Sequence, residues 1–140
     1  MTQPIEQHAR GLLDTSTVLA MGRLDPELLP REPVISAVTL AELAVGPLVA
    51  RTPLERAQRL SHLQQAEADF APLPFDAAAA RAFGRVAASL RQARRKSTAR
   101  SFDAMIAAIA IAHGLPVFTA NPTDFAQIDG LDVVPVRIDA

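Results

Sequence analysis

The sequence contains no cysteine, no tryptophan and no tyrosine, and only six phenylalanines among 140 residues. The absence of cysteine excludes disulfides and thiolate-bound metals, and it agrees with a protein of the reducing cytoplasm. Because apolar residues still make up 49% of the chain, the core must be built from aliphatic side chains. A net charge of −1 excludes a global positive field, so any contact with nucleic acid must depend on a local basic patch.

Long apolar runs are also missing. The longest extends from Ala104 to Ala112, well short of the roughly 20 residues that span a bilayer. The first ten residues, MTQPIEQHAR, include Glu6 and lead into no long apolar segment, which makes them a poor signal peptide. We therefore expect one domain over residues 1–140 with a polar leader at 1–10, located in the cytoplasm and without membrane contact.

Short apolar runs alternate with helical patterns along the chain, which predicts an α/β domain with a mostly parallel sheet. Extended segments are predicted at 11–13, 34–38, 116–120 and 131–136. Helices are predicted at 18–21, after residue 39, over 53–69 behind the cap Thr52, over 77–95 behind the cap Asp76, and from the cap Ser101 to Gly114.

Three carboxylates stand alone inside apolar segments: Asp14 in GLLDTSTVLAMG, Glu42 in VISAVTLAELAVG and Asp103 in SFDAMIAAIAIAHG. Each has an ordinary explanation, since an acid caps a helix or suits the positive end of its dipole, and a helical glutamate usually faces water. None of these segments supplies a basic partner, however, and burying an unpaired carboxylate costs several kcal/mol. Together the three acids predict a bound cation.

Oxygen ligands without cysteine or suitably spaced histidine favour Mg²⁺ or Mn²⁺ over Zn²⁺. In a parallel α/β sheet, such a site is expected at the carboxyl ends of the strands. Asp14 follows the first predicted strand, and Thr119, Asn121 and Asp124 follow a later one in VFTANPTDF. The latter stretch is also explained by ordinary turn chemistry.

Taken in order, these motifs resemble a PIN domain, specifically the VapC toxins of bacterial toxin–antitoxin modules. The matching stretches are LLDTSTVL, VTLAEL and FDAMIAAIAIAHGLPVFTANPTDF, and the resemblance extends from about residue 11 to 136. It implies a PIN-like α/β/α sandwich with a central mostly parallel sheet. It also implies a magnesium-dependent endoribonuclease that forms a homodimer and is inhibited by a VapB-type antitoxin.

Carried over by position, the resemblance makes Asp14, Glu42 and Asp103 catalytic, metal-binding acids. The fourth motif has Asn121 where the family pattern has an acid, so either Asp124 takes that role or Asn121 binds through its side-chain oxygen or a water. In the mechanism we expect, Asp14 and Asp103 hold one Mg²⁺, while Glu42 and Asp124 act through waters or help to hold a second ion. The metal then polarises the scissile phosphate and lowers the pKa of the attacking water.

Hydroxyl groups accompany these acids. We expect Thr15, Ser16 and Thr119 to orient the metal ligands by hydrogen bonding to them.

A basic stretch, LRQARRKSTAR, precedes the Asp103 helix and contains no acid. Its members, the candidate RNA-binding residues, are Arg91, Arg94, Arg95, Lys96 and Arg100. Two interpretations stay open, because such cations also complement the end of a helix dipole as an ordinary solvated surface. The same arginines are also suited to an antitoxin tail.

Two alternative functions stay open. Asn121 is compatible with a catalytically degenerate PIN-like module that binds RNA or protein, and the same carboxylates suit a metal phosphatase or a DNA nuclease. The predicted helix 53–69 carries more exposed leucine and alanine than a monomer needs, which favours a dimer.

Overall fold

The computed structural model describes residues 8–93 and 101–138. Its sheet has four parallel strands, β1 (Arg10–Leu13), β2 (Glu32–Val34), β3 (Val117–Thr119) and β4 (Val133–Pro135), in the order β2-β1-β3-β4. Leu12 in the central strand β1 pairs with Val34 on one side and Val117 on the other. The predicted parallel α/β sheet is confirmed.

Among the described residues, five α-helices connect or flank these strands. They are α1 (Thr15–Ala20), α2 (Ala37–Val45), α3 (Pro53–Asp69), α4 (Ala77–Gln92) and α5 (Ser101–His113). In the part of the chain that the structure describes, no helix has both the length and the apolar character needed to cross a membrane.

Side chains of the central strands alternate between two cores. Leu12 and Val117 pack with α4 and α5 on one face of the sheet. Leu13 and Phe118 pack on the other face with α1, α3 and the end of α2. Because each strand residue points to the face opposite its neighbour, two adjacent leucines supply both cores. The three layers confirm the predicted α/β/α sandwich.

Helix α5 is deeply buried, and the side chains of Ile106–Ala110 are all inaccessible to solvent. The helix ends at Gly114, which has φ +64°. The Gly114 N–H donates to Ile111 O, and the Leu115 N–H donates to Ala110 O. These two bonds form a Schellman motif, in which glycine adopts the left-handed conformation without penalty. Since α5 returns directly into β3, its first turn lies at the carboxyl edge of the sheet.

Several predicted helix boundaries were wrong. The first helix begins at Thr15 rather than at 18, because Asp14 accepts the Thr17 N–H as its cap. The extended segment predicted at 34–38 ends at Val34, because Ser36 caps α2 by accepting a backbone N–H. Ser101 lies inside α5 rather than capping it.

The predicted caps of the two long helices are confirmed. Thr52 accepts the Glu55 N–H at 3.1 Å, and Asp76 accepts the Ala79 N–H at 3.0 Å. Strand β1 begins at Arg10, one residue inside the predicted polar leader.

Gly11 is required by the close approach of Phe118. A Cβ atom at residue 11 would overlap the Phe118 ring and lie 3.1 Å from Pro30 Cγ. We expect Gly11→Ala to destabilise the fold by about 1–3 kcal/mol, because a fully buried ring must shift. Urea unfolding measures this loss.

The matched control is Gly84→Ala in α4, where an added Cβ meets no atom within 4 Å. Alanine there should stabilise the protein by about 0.5–1 kcal/mol, because it favours the helical backbone. An unchanged urea midpoint for Gly11→Ala would contradict the close approach at β1.

Candidate active site

Asp14 is a buried carboxylate at the junction of β1 and α1. Its side chain is 4% exposed, and it follows the last residue of the strand directly. As the N-cap of α1, its Oδ1 accepts the Thr17 N–H at 3.0 Å. The same residue therefore begins the helix and presents a carboxylate at the carboxyl edge of the sheet.

Three hydroxyl groups surround the Asp14 carboxylate. Thr17 Oγ1 lies 2.7 Å from Oδ1, Ser16 Oγ lies 2.9 Å from both oxygens, and Thr119 Oγ1 donates to Oδ2 at 2.6 Å. Thr119 is the last residue of β3, so its bond joins the carboxyl ends of the two central strands. All these donors are neutral, and Asp14 has no cationic partner among the described residues. The Asp14 carboxylate is therefore well hydrogen-bonded, but no positive charge neutralises it.

Glu42 lies in the second turn of α2 and is held by a chain of hydroxyls. Thr15 Oγ1 donates to Glu42 Oε1 at 2.7 Å and lies 3.0 Å from Thr39 Oγ1. Because Thr15 has one hydroxyl proton and gives it to Glu42, Thr39 must donate to Thr15. Thr39 is fully buried, one turn before Glu42 on the same helix. The chain of donors thus connects α2 to the start of α1.

Burial raises the pKa of the Glu42 carboxyl above its ordinary value, and the negative charge of Asp14 raises this pKa further. The hydrogen bond from Thr15 opposes both effects, because it stabilises the ionised form. Glu42 also has no ion pair with a described residue.

Asp103 and Asp124 approach the same edge of the sheet from other elements. Asp103 is half-buried in the first turn of α5. Asp124 is half-buried in the 3-10 turn Pro122–Phe125 that follows β3. Asn121 directly precedes that turn, and its backbone N–H donates to Thr119 Oγ1 at 2.9 Å.

Over residues 8–93 and 101–138, no three side chains of His, Cys, Asp or Glu form a cluster able to hold a metal ion. Glu42 is bonded to Thr15, the residue that follows Asp14, and the full set of four acids stays a prediction. Whether Asn121 or Asp124 fills the fourth position also stays open.

Two hydroxyl residues of this site were absent from the sequence prediction. Thr17 binds Asp14, and Thr39 supports Thr15. For Thr39 the sequence does contain a signal, because a residue three positions before Glu42 shares its helix face. The three predicted orienting hydroxyls, Thr15, Ser16 and Thr119, all donate to a carboxylate of the site.

The predicted RNA-binding stretch is described only at its beginning. Arg91 is exposed in the last turn of α4. The remaining members, Arg94, Arg95, Lys96 and Arg100, lie outside the described residues.

A family model described as PIN domain matches residues 12–131, which is most of the chain. The chain belongs to the PIN-domain family. Curated VapC relatives cover nearly its whole length: Ribonuclease VapC5 of Mycobacterium tuberculosis is 44% identical, with 91% of this chain and 94% of that protein aligned. Ribonuclease VapC1 of Rickettsia felis is 30% identical, with 89% and 95% aligned. Within the PIN-domain family, the chain is therefore a VapC-type member.

Solved structures of VapBC proteins also match this chain. The VapBC-5 toxin–antitoxin structure from Mycobacterium tuberculosis matches with a TM-score of 0.80 and 40% identity, over 91% of this chain and 99% of that chain. A DNA-bound VapBC structure from Salmonella typhimurium matches with a TM-score of 0.70 and 26% identity, over 89% and 96%. The VapC fold predicted from the motifs is confirmed.

The bond from Thr119 to Asp14 provides a test of how the site is held. Thr119→Val removes the donor but keeps the shape, and it leaves a buried carboxylate oxygen with one donor fewer. We expect a loss of about 1–3 kcal/mol in the free energy of unfolding. Urea unfolding is the measurement, and Thr119→Ser, which keeps the hydroxyl, should lose much less. Equal losses for valine and serine would contradict the role of the bond.

The raised pKa of Glu42 predicts how stability depends on pH. The folded state keeps this proton to a higher pH than the unfolded state, so stability falls as pH rises from the ordinary value towards the raised one. Glu42→Gln removes this penalty, and its melting temperature should exceed the wild type by a few degrees at about pH 7 and match it at about pH 4. Calorimetry in EDTA measures the melting temperatures of both proteins at each pH.

The control is Glu67→Gln, which changes an exposed glutamate of α3. Its effect on the melting temperature should be the same at both pH values. A Glu42→Gln protein that melts below the wild type at neutral pH would contradict the unfavourable burial of this charge.

Proposed function

We propose that this chain is a magnesium-dependent endoribonuclease and the toxin of a VapBC-type toxin–antitoxin pair. The observation that carries the proposal is the pair of interacting carboxylates, Asp14 and Glu42, at the carboxyl edge of the parallel sheet. Both are held by neutral hydroxyls and neither is paired with a described cation. The curated relatives named Ribonuclease VapC support the choice of RNA as substrate.

The donor set fits Mg²⁺, with Mn²⁺ as a substitute. Carboxylate and hydroxyl oxygens are the ligands that this ion prefers, and it is usually bound by one or two carboxylates plus waters and substrate phosphate. Asp14 is the direct ligand in this proposal, and Asp103, Glu42 and Asp124 complete the site directly or through water. When bound, Mg²⁺ polarises a phosphoryl oxygen and lowers the pKa of a water.

Glu42 is suited to take the proton of the attacking water. Its Oε1 is occupied by the Thr15 hydroxyl, and no described residue bonds to Oε2. The raised pKa of this carboxyl makes it a stronger base than an exposed glutamate. The water oxygen bonds to phosphorus as the bond to the leaving oxygen breaks, and the water proton moves to Glu42 Oε2. The leaving oxygen takes a proton from solvent and departs as an alcohol. Asp14, fixed by its hydroxyl donors, keeps its geometry during the reaction.

A VapB-type antitoxin is the proposed protein partner, because the solved relatives are toxin–antitoxin structures. A homodimer also belongs to the proposal. Leu54 and Leu60 on α3 are 70% and 41% exposed, which is apolar surface available for a second copy.

The test is cleavage of a total RNA pool by purified protein in Mg²⁺, with 5′-end sequencing of the fragments. We expect Asp14→Asn and Glu42→Gln each to lower the rate by at least about 100-fold, and EDTA to abolish cleavage. Asp129→Asn is the matched control, because Asp129 is exposed in the segment leading to the amino end of β4. It should cleave at the wild-type rate.

Two results would overturn the proposal. If the folded wild type cleaves no RNA with Mg²⁺ or Mn²⁺, the chain is a degenerate binding module. If it cleaves single-stranded DNA or nitrophenyl phosphate faster than RNA, it is a nuclease or phosphatase of another class.

A further inference from the structure

The chain of hydroxyls that ends at Glu42 begins inside the protein, at the start of α2. Ser36 and Thr39 are both fully buried. As the N-cap of α2, Ser36 Oγ accepts the Thr39 N–H at 3.1 Å, and it lies 3.5 Å from Thr39 Oγ1. From Thr39 the chain continues through Thr15 to Glu42, with oxygen–oxygen distances of 3.0 and 2.7 Å. Because the two inner hydroxyls have no access to solvent, water cannot replace either of them.

The direction of every hydrogen bond in this chain is fixed by its outer end. An ionised carboxylate only accepts, so the single hydroxyl proton of Thr15 goes to Glu42. Thr15 then accepts from Thr39, and Thr39 in turn can only accept from Ser36. All three hydroxyl protons therefore point towards Glu42.

The inner end of the chain is anchored by backbone hydrogen bonds on both sides of Ser36. The Leu73 N–H donates to Ile35 O at 2.9 Å, and the Ala37 N–H donates to Leu73 O at 2.8 Å. Ser36 and Leu73 thus form a parallel bridge just beyond the end of β2. Thr39, one turn along α2, is consequently held on a fixed base.

The contacts of Thr39 differ from those of a helical hydroxyl group that serves its own helix. A buried serine or threonine inside a helix commonly donates to the carbonyl oxygen four residues earlier. Ser89 of α4 does so, since its Oγ donates to Arg85 O at 3.1 Å. Thr39 Oγ1 instead donates across to Thr15, which belongs to another helix. Its hydroxyl therefore serves the contact between α2 and α1.

We propose that Thr39 is a positioning residue, which fixes the orientation of the Glu42 carboxylate by acting through Thr15. The inference rests on the proposed function, in which Glu42 Oε2 takes the proton of the attacking water. Thr15 Oγ1 accepts one hydrogen bond and donates another, so it cannot rotate without breaking one of them. Glu42 Oε1 is thereby kept against Thr15, and Oε2 is presented to the reactants. Without Thr39, the half-buried Thr15 hydroxyl can turn to water, and Glu42 loses its single orientation.

The experiment compares kcat and KM for RNA cleavage in Mg²⁺ between the wild type and Thr39→Val, which removes the hydroxyl and keeps the shape. We expect kcat to fall about 10-fold and KM to stay within about twofold, because a reacting group is misplaced while the binding surface is unchanged. Thr39→Ser restores the hydroxyl and should recover most of the rate. The matched control is Ser89→Ala, which removes a buried helical hydroxyl far from Glu42 in the chain of contacts and should keep the wild-type kcat.

Two further measurements separate positioning from a loss of stability. In the Glu42→Gln background, Thr39→Val should lower kcat no further, because the group that it positions has already been removed. A crystal structure of Thr39→Val without RNA or metal should show the Glu42 carboxylate in more than one orientation. This second measurement does not depend on activity.

Wild-type kcat in folded Thr39→Val, or an equal fall in kcat with and without Glu42→Gln, would overturn the inference while RNA cleavage itself stands. If Thr39→Val does not fold, Thr15→Val breaks the chain one step nearer to Glu42, at a half-buried position, and must show the same fall. A wild type that cleaves no RNA would instead overturn the proposed function. The orientation of Glu42 in the variant structure would then still decide whether Thr39 positions this carboxylate.

Discussion

The hydrogen bonds from neutral hydroxyls to the buried Asp14 carboxylate are the interaction on which the rest of the site depends. They come from residues on both sides of the β1–α1 junction and from Thr119 at the end of β3. Each donor lowers the cost of burying the carboxylate without cancelling its charge. An arginine partner would neutralise this charge, whereas the hydroxyl donors leave it in place.

The position of Asp14 at the start of α1 also explains the geometry around Glu42. Thr15 follows Asp14 directly, so the residue that begins α1 places its hydroxyl against α2. Thr39 supports it from inside α2, and the first turns of both helices become one hydrogen-bonded unit. Burial raises the pKa of the Glu42 carboxyl, and the negative charge of Asp14 raises it further. A carboxyl whose pKa is raised by burial and by a like charge is typical of a functional site.

Local rules predicted much of the fold. Thr52 and Asp76 begin their helices as expected, because a cap needs only its own side chain and the backbone three residues on. The parallel sheet followed from the alternation of short apolar runs with helices, and the α/β/α layers followed from the family resemblance. The boundaries near residues 15 and 37 were missed for a related reason: Asp14 and Ser36 act as caps within segments whose apolar residues suggested later helix starts.

By itself, the sequence determined the α/β class, the family resemblance and the lone acids, because periodicity, motif order and charge spacing are properties of the chain. Only the tertiary structure decided which groups meet. The bond between Thr119 and Asp14 spans 105 positions, and no local pattern encodes such a contact. The bond between Thr15 and Glu42 is likewise invisible in the sequence, since α1 and α2 meet only when both pack on one sheet face. Packing of the sheet faces creates these neighbours, and packing depends on the whole chain at once.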